Sequence, residues 1–108
     1  MSLKKGIIID FINGDDAATG LVFNEYKNLL YFLIASIVDN QEDCADLLQE
    51  TFLKAMEHKY ELKDPTKIKT YLCSIAKNEA LSFLKKKKKF SLKISKTIIL
   101  VTIIMIFI

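Results

Sequence analysis

Apolar positions along the chain recur at helical spacing rather than in alternation. Across residues 17–38, Leu21, Val22, Tyr26, Leu29, Leu30, Leu33, Ile34 and Ile37 repeat at intervals of three and four. Phe23, Tyr31 and Phe32 widen that arc, which predicts the central helix of a helical domain. These aromatics read as core packing, with a ligand box as the other reading. Asp15 or Asp16 supplies the N-cap, after the breaker Asn13-Gly14. The preceding run, residues 7–12, is apolar except for Asp10. It predicts one or two helical turns, a short strand being the alternative for so brief a run.

A second helix is expected over residues 43–56, DCADLLQETFLKAM, running out near Glu57. Cys44, Leu47, Leu48, Phe52, Ala55 and Met56 fall on its apolar side, and Asp46, Gln49, Glu50 and Lys54 on its polar side. Asp39-Asn40-Gln41 gives the turn and N-cap, and Glu42 and Asp43 suit the positive end of the helix dipole. Residues 58–66 lack periodicity and contain the only proline, so they read as a loop, with Asp64 capping and Pro65 opening the next helix. That helix spans about residues 66–88. Ile68, Tyr71, Leu72, Ile75, Phe83 and Leu84 form its buried side, with Ala76 and Ala80 where a neighbour packs closely.

Composition narrows the class. Half of the 108 residues are apolar, with three Gly and one Pro, and β-branched residues concentrate at the C-terminal end. This favours an all-α fold: one compact helical bundle of about four helices over residues 1–89, followed by an irregular or apolar tail over 90–108. The net charge of +3 conceals a division. Residues 1–62 hold five Lys against eleven acids, a balance of −6; residues 63–108 hold eleven Lys against two acids, a balance of +9. Two partners of opposite character fit that division, with a polyanion such as nucleic acid at the basic half; solvated charged faces are the plainer reading. All sixteen basic residues are Lys, so no bidentate guanidinium contact is available.

Cys44 and Cys73 each sit on an apolar stripe and read as core residues rather than as a disulfide. With His58 they are too few for zinc, and no metal or cofactor is expected. The N-terminus lacks the apolar length and cleavage site of a signal peptide. No enzyme is expected: there is no nucleophile–base pair in sequence around His58 and no phosphate-cradling Gly-rich loop.

Residues 85–89 are five consecutive Lys, which repel one another and should fray the helix end. Residues 97–108, TIILVTIIMIFI, are almost wholly apolar. Twelve helical residues reach about 18 Å, short of the roughly 30 Å hydrocarbon core of a membrane. Five Lys codons can form a long adenine run where reading frames slip. A frameshift product is therefore one account of the tail, and a membrane-surface segment beside a lysine cluster is another.

Three blocks, in order over about residues 8–89, resemble region 2 of sigma-70 family RNA polymerase sigma factors of the extracytoplasmic-function (ECF) type. Gly14-Asp15, Ala18 and Tyr26 resemble the family's opening. Asp46-Leu47-Leu48-Gln49-Glu50-Thr51-Phe52-Leu53-Lys54 resembles its core-binding helix. Tyr71-Leu72 with Ile75-Ala76 and Asn78 resembles its Trp-Leu-x-x-Ile-Ala-x-Asn block. Tyr71 stands for the common Trp, Cys44-Ala45 for Ala-Glu, Thr19 for Phe, Ser82 for Asp, and Lys for Arg throughout. Nothing corresponds to the family's region 4, so a truncated or frame-disrupted factor is expected.

The resemblance implies a cytoplasmic transcription-initiation protein that binds core RNA polymerase and recognises and melts the promoter −10 element. Asp46, Gln49, Glu50 and Lys54 would meet the clamp helices of the largest polymerase subunit. Tyr60, Lys67, Lys69, Tyr71, Lys77, Asn78, Lys85, Lys86 and Lys87 would meet the non-template strand, with Asn78 on a base edge and Tyr60 stacked on a captured base. An anti-sigma factor is a further implied partner. The rival readings are an inactive or competing polymerase-binding fragment, and a small membrane-associated helical protein.

Overall fold

The computed structural model describes residues 3–87 and 104–106. Four α-helices carry the fold: α1 Lys5–Ile12, α2 Asp16–Ala35, α3 Gln41–Glu57 and α4 Ile68–Lys87. Two single 3-10 turns, Lys59–Glu61 and Pro65–Lys67, punctuate the connection from α3 to α4. No strand occurs among the described residues, and residues 7–12 lie within a helix. α2 is the central element, packed against α1, α3 and α4, while α3 and α4 also pack on each other.

The α1–α2 corner follows from two adjacent residues. Gly14 has φ +90°, a left-handed conformation that disfavours a β-carbon, and its N–H donates to the Phe11 carbonyl at 3.1 Å. Asp15 then caps α2, its carboxylate accepting from the Ala18 N–H at 2.8 Å, and Ala18 is buried below the turn. The Gly-Asp-x-x-Ala string is thus a left-handed corner, a cap and a small residue beneath it. Asp15→Ala is expected to cost about 1 kcal/mol in a denaturant melt, while Asp16→Ala, outside the cap, should cost much less.

The core holds Phe11, Val22, Leu30, Leu33, Ile34, Leu72, Cys73, Ala76 and Ala80, all fully buried. Ala76 and Ala80 occupy the places where α4 meets its neighbours, as their size suggested. Three aromatic rings join three helices. Phe11 lies edge-on to Phe23 at 6.0 Å between centroids, and Phe23 stacks on Phe52 at 4.0 Å. Cys44 and Cys73 are free and buried, as expected of core residues. Burial pushes the Cys73 thiol up to about 11.

Several expected positions turn outward or inward. Leu21 and Phe32 are exposed, because the real core arc of α2 is narrower than its apolar arc. α2 ends at Ala35 rather than near residue 38; Ser36 donates its hydroxyl to the Phe32 carbonyl, and Ile37 and Val38 are buried in the turn that follows. On α3, Met56 and Leu53 are 42% and 56% exposed, while Thr51 is buried at the centre of the inward face. The Thr51 hydroxyl donates to the Leu47 carbonyl at 2.7 Å, which satisfies it inside the core. Asn40 caps α3, accepting from the Asp43 N–H, and Asp64 caps the turn at Pro65, as the sequence indicated.

No helix among the described residues is long and apolar enough to cross a membrane. The readings of the lysine run beyond residue 87 and of most of the apolar tail fall outside the described residues. Within the tail, Ile104 and Met105 are half-buried and pack against the hydrophobic core.

Candidate functional site

α3 faces outward with its acids. Asp46, Gln49 and Glu50 are exposed, and Asp46 and Gln49 have no hydrogen bond or ion pair among the described residues. Gln49 also borders an apolar depression made by Phe23, Phe52, Leu53 and Met56. Polar contact groups and exposed apolar side chains therefore share one side of α3.

Lys54 takes a different place. Its ammonium pairs with Glu79 of α4 at 3.0 Å, and this bond holds the lysine pKa above its ordinary value. The pair stands on the ridge between two grooves. One is lined by Asp43, Asp46, Glu50, Ser82, Phe83 and Lys86; the other by His58, Glu61, Tyr71, Ile75 and Asn78. Lys54 and Glu79 line both. Glu79 was not singled out from sequence, although its signal was there: it is the only acid on α4.

Tyr71 is positioned by α3. Its hydroxyl donates to the Ala55 carbonyl at 2.9 Å, one of the last-turn carbonyls that α3 itself leaves unpaired. Burial pushes the Tyr71 phenol up to about 12, with Glu61 adding to the effect. The ring thereby forms a fixed wall of the second groove. Asn78 lies two turns further along α4 on the same stripe, with Lys85 two turns beyond it. Asn78 is exposed, and its amide has no partner among the described residues. At the groove's loop side, His58 Nδ1 lies 3.0 Å from Glu61 Oε2.

Tyr60 is 67% exposed, the most open aromatic of the described residues, with the Lys59 ammonium 5.4 Å from its ring centre. Lys67, Lys69 and Lys85 are exposed and Lys77 is half-buried. The structure does not gather the lysines onto one face. Lys69 lines a separate groove with Lys5 and Tyr26, and Lys86 lies in the groove of Asp43, Asp46 and Glu50. The Lys87 side chain lies outside the described residues. No cluster of metal-ligating side chains occurs among the described residues.

An all-α bundle of four helices is the fold expected of the family that the sequence resembles. Residues 22–90 match sigma-70 region 2, and the chain belongs to that family. It is 34% identical over 74 residues to RNA polymerase sigma factor SigV of Bacillus subtilis (strain 168), a stretch covering 68% of this chain and 45% of that protein. It is 32% identical over 68 residues to ECF RNA polymerase sigma factor SigM of the same organism, covering 63% of this chain and 41% of that protein. The chain thus matches under half the length of these relatives. No solved structure matches it.

Proposed function

We propose that this chain binds core RNA polymerase through the outer side of α3 and holds the melted −10 element of a promoter with α4 and the loop before it. The observation that carries this reading is the α3 face, where Asp46, Gln49 and Glu50 stand exposed beside an apolar depression. Such a face is built for a partner: charged and amide groups set the register, and Leu53 and Met56 supply apolar area on docking. The unit that does this is residues 1–89. Its working place is the cytoplasm, where polymerase and promoter are, and its role is to bind rather than to catalyse.

The second groove takes a base rather than a phosphate: its one lysine, Lys54, is already paired with Glu79, and Glu61 adds a further acid beside Asn78. Asn78 offers a donor and an acceptor to a base edge. Tyr60 offers a stacking face, worth about 1–3 kcal/mol per base. Lys67, Lys77 and Lys85 hold phosphates outside the groove, so binding weakens as salt rises. Lys54 serves this reading less as a polymerase contact than as the bond that sets α3 against α4.

Co-purification of the full chain with bacterial core polymerase tests the reading. A Gln49→Ala/Glu50→Ala double change should reduce retention at least tenfold while leaving the circular dichroism spectrum unchanged, because both side chains are exposed. Equal retention of wild type and double variant would remove α3 as the docking face.

A further inference from the structure

The groove that contains Lys69 belongs to neither surface above. It lies where α1, α2 and the start of α4 meet, and Leu3, Lys5, Ile8, Tyr26, Pro65, Thr66, Ile68 and Lys69 line it. Its volume is about 270 Å³. The floor is apolar: Ile8 and Ile68 are buried and Leu3 is half-buried against the core.

Tyr26 is 8% exposed, and its hydroxyl has no hydrogen-bond partner among the described residues. The hydroxyl is not sealed off, since no fully buried polar side-chain atom among the described residues lacks a partner, and it is open to donate to a group in the groove. Here the open side of the ring is the groove itself, which Tyr26 lines. Lys5 and Lys69 stand at the same groove, and neither is in an ion pair among the described residues. Two acids act nearby, and neither lines the groove: Glu25, whose charge is felt at the Tyr26 hydroxyl, and Asp64, which feels Lys5 and Lys67 and whose Oδ1 is taken by the Thr66 N–H and hydroxyl.

We propose that this groove binds a small amphipathic anion, with its anionic head between Lys5 and Lys69 and accepting from the Tyr26 hydroxyl, and its apolar body on Leu3, Ile8 and Ile68. The volume sets the size. A groove of about 270 Å³ that opens to solvent admits a small ligand, such as a medium-chain or aromatic carboxylate, rather than a macromolecule. A bare inorganic anion would leave the apolar floor wet, and a neutral alkyl chain would make no use of the two exposed ammonium groups or the hydroxyl. Because the ligand would touch α1, α2 and α4 together, its occupancy raises the stability of the whole domain. The proposal does not depend on polymerase or promoter binding.

Titration of the full chain with octanoate, read by calorimetry and by the shift in melting temperature, tests it, with octanol and inorganic phosphate as comparison probes. Octanoate should bind saturably at one site per chain and raise the melting temperature. Octanol and phosphate should each bind at least tenfold more weakly. Tyr26→Phe keeps the ring and removes the hydroxyl, and should weaken octanoate about tenfold, the usual effect of losing a hydrogen bond to a charged group. Lys5→Ala/Lys69→Ala should weaken it at least as much, while Lys67→Ala, outside the groove, should not. Absence of saturable octanoate binding, octanol or phosphate binding as tightly as octanoate, or equal affinity in wild type, Tyr26→Phe and the double lysine variant would each overturn the proposal.

Discussion

Phe11→Ala is expected to cost about 3–5 kcal/mol, the usual range for removing a fully buried phenyl ring. Against a total stability of roughly 5–15 kcal/mol for a domain, that loss is severe enough to populate the unfolded state measurably. The reason is positional. α1 has eight residues, too few to persist as an isolated helix, and it is held to the bundle by Ile8 and Phe11. Phe11 also forms one end of the Phe11–Phe23–Phe52 chain of rings, so its removal loosens the contact from α1 through α2 to α3. Urea denaturation of Phe11→Ala and Ile9→Ala checks this. Ile9 is on the same helix but exposed, and its loss should fall within about 0.5 kcal/mol. Similar midpoints for the two variants would mean that α1 is not docked as described.

Alkaline pH should unfold the domain. The Tyr71 phenol is pushed up to about 12 and the Cys73 thiol to about 11, both chiefly by burial, against ordinary values of 10.0 and 9.0. Cys44 and Tyr26 move in the same direction, again chiefly by burial. Each group is neutral when protonated, and the fold disfavours its anion. The unfolded chain therefore loses these protons first as pH rises. Their contribution is complete below about pH 9 and drains away between about pH 9 and 12. The displacement corresponds to about 3 kcal/mol for each of Tyr71 and Cys73. Ellipticity followed against pH should hold steady through neutrality and collapse within that window. Tyr71→Phe should lower neutral stability by about 1 kcal/mol through loss of the bond to Ala55, and should flatten the upper part of the alkaline decline. A transition centred near pH 8 would contradict the assignment of buried, protonated groups.

The helices and their caps were readable because they rest on local rules. Asp15, Asn40 and Asp64 cap the elements they precede, and Pro65 opens its turn, since a cap acts on N–H groups two or three residues away. Ala76 and Ala80 were legible as close-packing positions because small residues on an apolar stripe leave room for a neighbour. Thr51 was not legible. It is polar by composition and sits among exposed residues in sequence, and only the approach of the neighbouring helices makes that side of α3 its core face. Met56 and Leu21 fail in the opposite sense, being apolar yet exposed.

The candidate site divides the same way. The side chains with partner-facing chemistry on α3, Asp46, Gln49 and Glu50, could be placed on one side of a helix from their spacing alone. The Lys54–Glu79 pair joins residues that are twenty-five apart in sequence, and spacing along either helix says nothing about it. The dispersal of the lysines is also a tertiary fact. Lys69 and Lys86 share α4 with Asn78, yet each opens onto a different groove because neighbouring helices cover different sectors of its circumference.

By itself, then, the sequence determined the three longer helices and their approximate places, the corner at Gly14-Asp15, and membership of sigma-70 region 2, because these depend on periodicity, backbone preference and short motifs. Tertiary structure alone decided which half of each apolar arc became core, that Lys54 is bound to Glu79, and that Tyr26 meets Lys5 and Lys69 at one groove. Those outcomes depend on where one helix surface lies against another, and contact between residues distant in sequence is set by packing rather than by any local pattern.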